Sequence, residues 1–381
     1  MDRKSKVVIV ITLAVLLMVG AGYYFITKTD VVARGTGTMT AVSRVIKVGA
    51  VLPLTGDAAN YGQSAKKGIE VALDKLAKEN SSEFEVIFED SQLDPTKAVG
   101  ALKKLLDLDK VKYVIGYSSP ELLAECPITE ANKIILLGSG SAAAVTDCGD
   151  YTFRNYPSDI YQGKMLARLV SKGGHKRVAI LYLANDYGVG LKEEFTKNFT
   201  GDSLFVEAHN PGAIDFRTTL IKMKDFDPSC VVVLSYYPEG VRLFKQMDEL
   251  GVNNVPVFAS EAVKDNGLLD SISERMQKNI SLVFLSQYSG NEYKQYELSY
   301  RAMHNEPVGV YSDFVYDDVL LLAKALDGCP VDDTSCVKNN LYKINFVGAT
   351  GPISFDSNGD VIEKEYGLYY LQDGQFVKTV K

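Results

Sequence analysis

From Ile46 onward, apolar and polar positions alternate in blocks. The short apolar runs "IKVGAVLP", "FEVIFEDS", "KYVIGYS" and "KIILLGS" are separated by segments of helical period near residues 61–79, 95–109 and 120–132. Apolar runs of this length between helical segments read as strands buried on both faces. After "DYTFRNYPSD" the series starts again: a helix over 160–171, "RVAILYL", a helix over 190–199, "LFVEAHN", a helix over 216–224, "CVVVLSYY", a helix over 239–250, and "VPVFAS". Repeated β-α units predict a mostly parallel sheet covered on both faces. Two successive series predict two α/β lobes rather than one large sheet. A third part, "ISLVFLSQYSG" with helices near 293–304, 312–327 and 334–342, must join one of them. The C-terminal "ISFDSNGD" and "YGLYYLQDGQFVKTV" read as short antiparallel strands turning at "SNGD" and "QDGQ".

Ahead of this pattern stands "MDRKSK", followed by 20 uncharged residues, "VVIVITLAVLLMVGAGYYFI". At about 1.5 Å per residue such a helix crosses a hydrocarbon core of about 30 Å. Arg3, Lys4 and Lys6 should hold the amino end in the cytoplasm and send the rest across. The run is long for a cleaved signal and lacks an A-x-A site, and no cysteine near its end invites a lipid. Residues 1–27 are therefore expected to form a transmembrane anchor, with a cleaved signal segment as the alternative, and 28–45 a polar linker. The remainder would lie outside the cytoplasm, tethered to the membrane.

Composition narrows the classes. The chain of 381 residues is 46% hydrophobic and 23% charged, an ordinary globular balance. Its net charge of −7 offers no basic footprint for nucleic acid. Of five cysteines, Cys329 and Cys336 share the turn-rich "GCPVDDTSC", where a local disulfide is expected, and Cys126 with Cys148 makes a second candidate pair. Cys230 lies in an apolar run and reads as a core thiol. With three histidines and no zinc-like spacing, no metal or other cofactor is expected.

Loops at the carboxyl ends of strands are where open α/β folds bind ligands. "PLTGDAANYG" delivers Tyr61 to the start of a helix. "IGYSSPELLA" places Ser118 and Ser119 before Pro120, and the helix amides there form an anion site suited to a carboxylate. "LLGSGSAAAVTD" carries Ser139 and Ser141 on a small-residue loop. It lacks the lysine of a phosphate loop, the third glycine of a dinucleotide site and the order of a nucleophile elbow. In the second series, "LANDYGVG" carries Tyr187, "LSYYPEG" Tyr236 and "VFASEAV" Glu261. A carboxylate directly after a buried strand is costly unless a cation meets it.

These segments, together with "DSQLDPTKAV", "TFRNYPSDIYQG" and "FRTTLIKMK", resemble the type I periplasmic binding proteins, and more narrowly the Leu/Ile/Val receptors of ABC importers. The resemblance spans essentially all of residues 46–381. It implies two doubly wound, Rossmann-like lobes joined by three hinge strands, with residues 46–157 and 286–345 in lobe 1 and 158–285 and 346–381 in lobe 2. It also implies a ligand, an amino acid of branched-chain or other apolar type, and an ABC permease as partner. By this resemblance Ser118, with Ser119 able to exchange roles, binds the α-carboxylate through hydroxyl and amide. Ser141 binds carboxylate and ammonium, and Ser139 offers its carbonyl to the ammonium. Tyr236 and Glu261 close on the amino group, while Tyr61 and Tyr187 line the cleft.

A ligand sensor for a signalling partner, or a receptor for an amide or other small polar solute, has the same residue pattern. An enzyme on this fold would need a nucleophile–base pair, a metal cluster or a cofactor fingerprint, and the sequence shows none.

Overall fold

The computed structural model describes residues 45–79, 83–265, 267–362, 364–372 and 375–379. The expected anchor lies outside the described residues; among them no helix is long and apolar enough to cross a membrane.

The first sheet is assembled from β1 (Ile46–Leu52), β2 (Phe84–Asp90), β3 (Tyr113–Gly116), β4 (Ile135–Gly138) and β5 (Thr152–Arg154), all parallel in the order β2-β1-β3-β4-β5. Every residue of β3 and β4 is buried, as parallel strands covered on both faces require. The crossovers are α1 (Ala59–Lys78), α2 (Pro95–Lys104) and α3 (Ser119–Asn132). α2 starts where Asp94 accepts from the amides of Thr96 and Lys97, and it runs on as a wider turn over Leu105–Asp109.

Next come α4 (Asp159–Lys172), β6 (Arg177–Leu183), α5 (Asp186–Asn198), β7 (Ser203–His209), α6 (Arg217–Phe226), β8 (Cys230–Leu234), α7 (Tyr237–Glu249), β9 (Val257–Ser260) and β10 (Ile280–Leu285). α8 (Asn291–His304), α9 (Ser312–Ala325), α10 (Thr334–Leu341), β11 (Phe346–Gly348), β12 (Gly351–Ile353), β13 (Tyr366–Gln372) and β14 (Gln375–Lys378) complete the described elements of eight residues or more and the strands. The second sheet has the order β14-β13-β10-β9-β8-β6-β7. β13 runs antiparallel to β10 and β14, and the other pairs are parallel.

Two differences from the sequence reading have local causes. α5 begins four residues earlier than 190, because Asn185 caps it by accepting from the Gly188 amide at 3.0 Å; the "NDYG" that reads as a turn is a cap plus a first turn. Residues 346–361 were expected with the second lobe. Ala349, Ile353, Phe355 and Val361 instead pack into the core between the first sheet and α1, α8, α9 and α10. The β11 and β12 strands pair with each other, and Asp317 of α9 holds their turn through the Ala349 and Thr350 amides. The chain thus passes from one core to the other after Arg154, after Leu285 and after Val361.

Cys126 is bonded to Cys148 and Cys329 to Cys336, while Cys230 is free and buried.

Candidate functional site

The first loop is fastened by a single carboxylate. Asp90, at the end of β2, accepts from the Leu54 amide at 2.8 Å, the Thr55 amide at 3.2 Å and the Thr55 hydroxyl. This brings "PLTGDAANYG" back over the end of β1, so that α1 starts against its own loop. Gly62 permits the approach: a Cβ there would lie 2.1 Å from the Pro53 carbonyl oxygen. Tyr61 is thereby aimed across the space between the two cores. Its hydroxyl donates to the Ala262 carbonyl at 2.8 Å and accepts from the Tyr237 amide at 2.9 Å. Burial raises its pKa well above the ordinary phenol value, so the donor proton stays in place. Asn60 to Asp265 at 2.7 Å and Arg242 to Asp57 at 2.9 Å extend the same seam outward.

Ser118 caps α3 and Pro120 stands in its first turn. Both polar donors of Ser118 turn to Glu121 of that helix: the hydroxyl lies 2.7 Å and the amide 3.2 Å from Glu121 Oε2. The sequence reading gave these two groups to a ligand carboxylate. A capping box explains the difference, since a glutamate three residues after a serine cap bonds back to it. Burial raises the Glu121 carboxyl pKa. Ser119 accepts from the Ala142 amide at 3.0 Å, which ties α3 to the loop after β4.

On the opposite side, β9 ends at Ser260 and Glu261 follows it, 3% exposed. Burial pushes the Glu261 carboxyl up to about 7, and its Oε2 finds no hydrogen-bond partner among the described residues. Asp159, the first residue of α4, is buried beside it; desolvation and then the Glu261 charge raise its pKa as well. Tyr187 donates to the Ser260 hydroxyl at 2.8 Å and stacks on Tyr236 with ring centroids 5.3 Å apart. The Asn185 amide donates to the Tyr236 hydroxyl at 3.3 Å.

Between these parts lies a chamber of about 60 Å³. Tyr61, Ser118, Ser119, Ser139, Ser141, Tyr187, Tyr236 and Glu261 all line it, so the structure brings every residue singled out from the sequence to one place. Leu93, Tyr117, Tyr156, Ala262 and Tyr311 line it too and were not foreseen. Tyr117 adjoins Ser118 in "IGYSS", and that adjacency was the available signal. Tyr311 has a left-handed φ of 62° at the start of α9 and meets Tyr156 edge-on at 5.7 Å. Nothing in its local sequence announces that its ring meets Tyr61 and Tyr156.

The arrangement suits a small solute with two opposite charges. One wall offers serines, a helix N-terminus and backbone; the other a buried carboxylate among tyrosine rings, whose faces also attract a cation. Among the described residues no group of three or more His, Cys, Asp or Glu could hold a metal ion.

Comparison with known proteins agrees in fold and length. The periplasmic binding protein family matches residues 45–375. The leucine-, isoleucine-, valine-, threonine- and alanine-binding protein of Pseudomonas aeruginosa is 25% identical over 358 residues, covering 88% of this chain and 92% of that one. Among solved structures, the leucine-binding protein LivK of Thermotoga maritima superposes with a TM-score of 0.81 at 25% identity, covering 88% of this chain and 98% of its own. The branched-chain amino acid transporter substrate-binding protein LivJ of Streptococcus pneumoniae, in complex with isoleucine, gives 0.79 at 26% identity, covering 88% and 100%.

Proposed function

Because this chain belongs to the periplasmic binding protein family, we propose that it is the extracytoplasmic receptor of an ABC importer and holds an α-amino acid across the chamber. It is a solute-binding receptor and not an enzyme, as its family is. The observation that carries the ligand class is Glu261: a buried carboxylate, one oxygen of which has no hydrogen-bond partner among the described residues, lining the same chamber of about 60 Å³ as the N-terminus of α3. An uncompensated buried charge costs several kcal/mol, and a ligand ammonium removes that cost. The α-carboxylate then falls to the Ser118–Ser119 end of α3 and the Ser139–Ser141 loop, where the ligand competes with Glu121 for the two Ser118 donors. Tyr61, Tyr187 and Tyr236 complete the walls.

The names of the relatives favour a branched-chain amino acid. Lobe 1 in this reading comprises residues 46–157 and 286–361, and lobe 2 residues 158–285 and 364–379. Ligand contacts with both lobes favour the state in which they meet. Residues 7–26 act as an uncleaved anchor that keeps the receptor beside its permease.

A thermal-shift screen with amino acids, small amides and sugars, followed by calorimetry on each hit, tests the reading. Ligand at 100 times its Kd adds about 2.7 kcal/mol of stability. Stabilisation by amino acids, branched-chain ones foremost, is the expected result; a response to sugars alone, or to nothing, would sink the ligand class. For the anchor, the expected outcome is a membrane-fraction protein with residues 1–27 intact by mass spectrometry. A mature chain starting beyond them would replace the anchor with a cleaved signal.

A further inference from the structure

The loop that carries Ser139 and Ser141 has an unusual backbone. In extended chain, successive carbonyls point in opposite directions. Here the carbonyls of Gly140, Ser141 and Ala142 converge on one nitrogen, Nη1 of Arg154, at 3.5, 3.0 and 2.8 Å. Three carbonyl dipoles aimed at one point repel each other, and a cation at that point reverses the balance. Arg154 is 1% exposed.

The remaining guanidinium groups are also committed. Nε donates to Asp360 Oδ1 at 2.8 Å, and Nη2 donates to Asp360 Oδ2 at 2.6 Å and to the Thr146 hydroxyl at 2.8 Å. Main-chain bonds run alongside: the Arg154 amide donates to Gly359 O at 2.8 Å and the Val361 amide to Arg154 O at 2.9 Å. Asp360 and Val361 stand just before the third passage of the chain to the second core. On the loop's other flank, the Asp159 amide donates to Ser141 O at 2.7 Å, and Asp159 opens the helix reached by the first passage. Gly140 leaves no room for adjustment, since a Cβ there would come within 2.9 Å of Ser119 Cα.

We propose that Arg154 is a positioning residue that fixes the Ser139–Ser141 loop for ligand, and that through Asp360 it links the geometry of that loop to the third interlobe passage. This rests on the receptor reading for its ligand, but the link itself is a property of the loop. Lysine in its place keeps the charge and loses the fork that serves three carbonyls and a carboxylate together.

The test pairs amide hydrogen exchange with calorimetry on the amino acid that stabilises the wild-type protein most. Arg154→Lys should speed exchange in residues 139–142 more than elsewhere in the first core, and raise Kd at least tenfold. Asp360→Asn, a milder change, should do both to a smaller degree. Val319→Ala, a buried apolar substitution in α9 that removes none of the loop's hydrogen bonds, shows what loss of stability alone does, and should leave Kd within twofold. Unchanged loop exchange in Arg154→Lys, or a Kd rise in Val319→Ala as large as in Arg154→Lys, overturns the proposal. If the wild-type protein binds no amino acid, the receptor reading falls, and the exchange measurement still decides for or against the positioning role.

Discussion

Replacing Tyr61 with phenylalanine removes one oxygen atom and leaves the ring against Tyr311, 6.1 Å away. That oxygen makes two bonds across the seam, to Ala262 O and from Tyr237 N. When the lobes part, water meets both backbone groups; when they close around phenylalanine, neither has a partner. The loss therefore falls on the closed state alone. At about 1 kcal/mol net for each hydrogen bond the cost is about 2 kcal/mol. With tenfold per 1.4 kcal/mol, Kd for the amino acid should rise about 30-fold. Calorimetry measures the Kd, and small-angle scattering of the saturated protein should show a larger open fraction. The ligand-free melting temperature serves as a control, because Tyr61 is also a core residue. A Kd within threefold of wild type would refute the reasoning. So would a weakened Kd with unchanged scattering, which would make Tyr61 a simple ligand contact. The outer pair Asp57–Arg242, with side chains 66% and 31% exposed, should matter far less.

Other outcomes follow from the two ends of the chamber. Glu261→Gln should weaken binding by about 2–5 kcal/mol, the scale of truncating a buried charge pair, and an unchanged calorimetric Kd would remove Glu261 from the site. Because burial holds the Glu261 carboxyl up to about 7, its neutral form stabilises the ligand-free fold. That stability is complete below the ordinary carboxyl range and is lost as pH rises through about 7. An ammonium favours the ionised form, so affinity should rise between pH 5.5 and 8, with Glu261→Gln flattening the profile; a flat wild-type profile would contradict this. Ser118→Ala should raise Kd about tenfold, the value of a bond to a charged group; equal binding would leave the Ser118 donors to Glu121 alone.

Much of the fold is legible because parallel strands buried on both faces write themselves as apolar runs, and each is followed by a loop whose residues face one edge of a sheet. Ser118, Ser139 and Glu261 are all found by that rule: they stand at or just past strand ends. What stays hidden depends on contacts between distant segments. Tyr311 reaches the chamber from a loop that follows no strand, and Asp90 looks like any strand-end acid until three donors of the first loop converge on it. Nothing in "TFRNYPSD" marks Arg154 as buried, and only its six side-chain bonds reveal a buried cation. The helix-cap role of Ser118 is visible in "SSPE", but the return bond from Glu121 competes with the ligand role in a way that resemblance to relatives does not convey.

The cystine between Cys126 and Cys148 encloses Ser139, Gly140 and Ser141 within a segment spanning 22 positions. Closing such a loop narrows the unfolded chain by about 3 kcal/mol. The second sheet's only cysteine, Cys230, stays a thiol in the core. The two candidate walls of the chamber are therefore held by different means. The half bearing Glu261 rests on packing alone, whereas the half bearing the serines gains this covalent contribution wherever thiols are oxidised and loses it where, as in the cytosol, they are kept reduced. Reducing agent should therefore lower the stability of the serine-bearing half first.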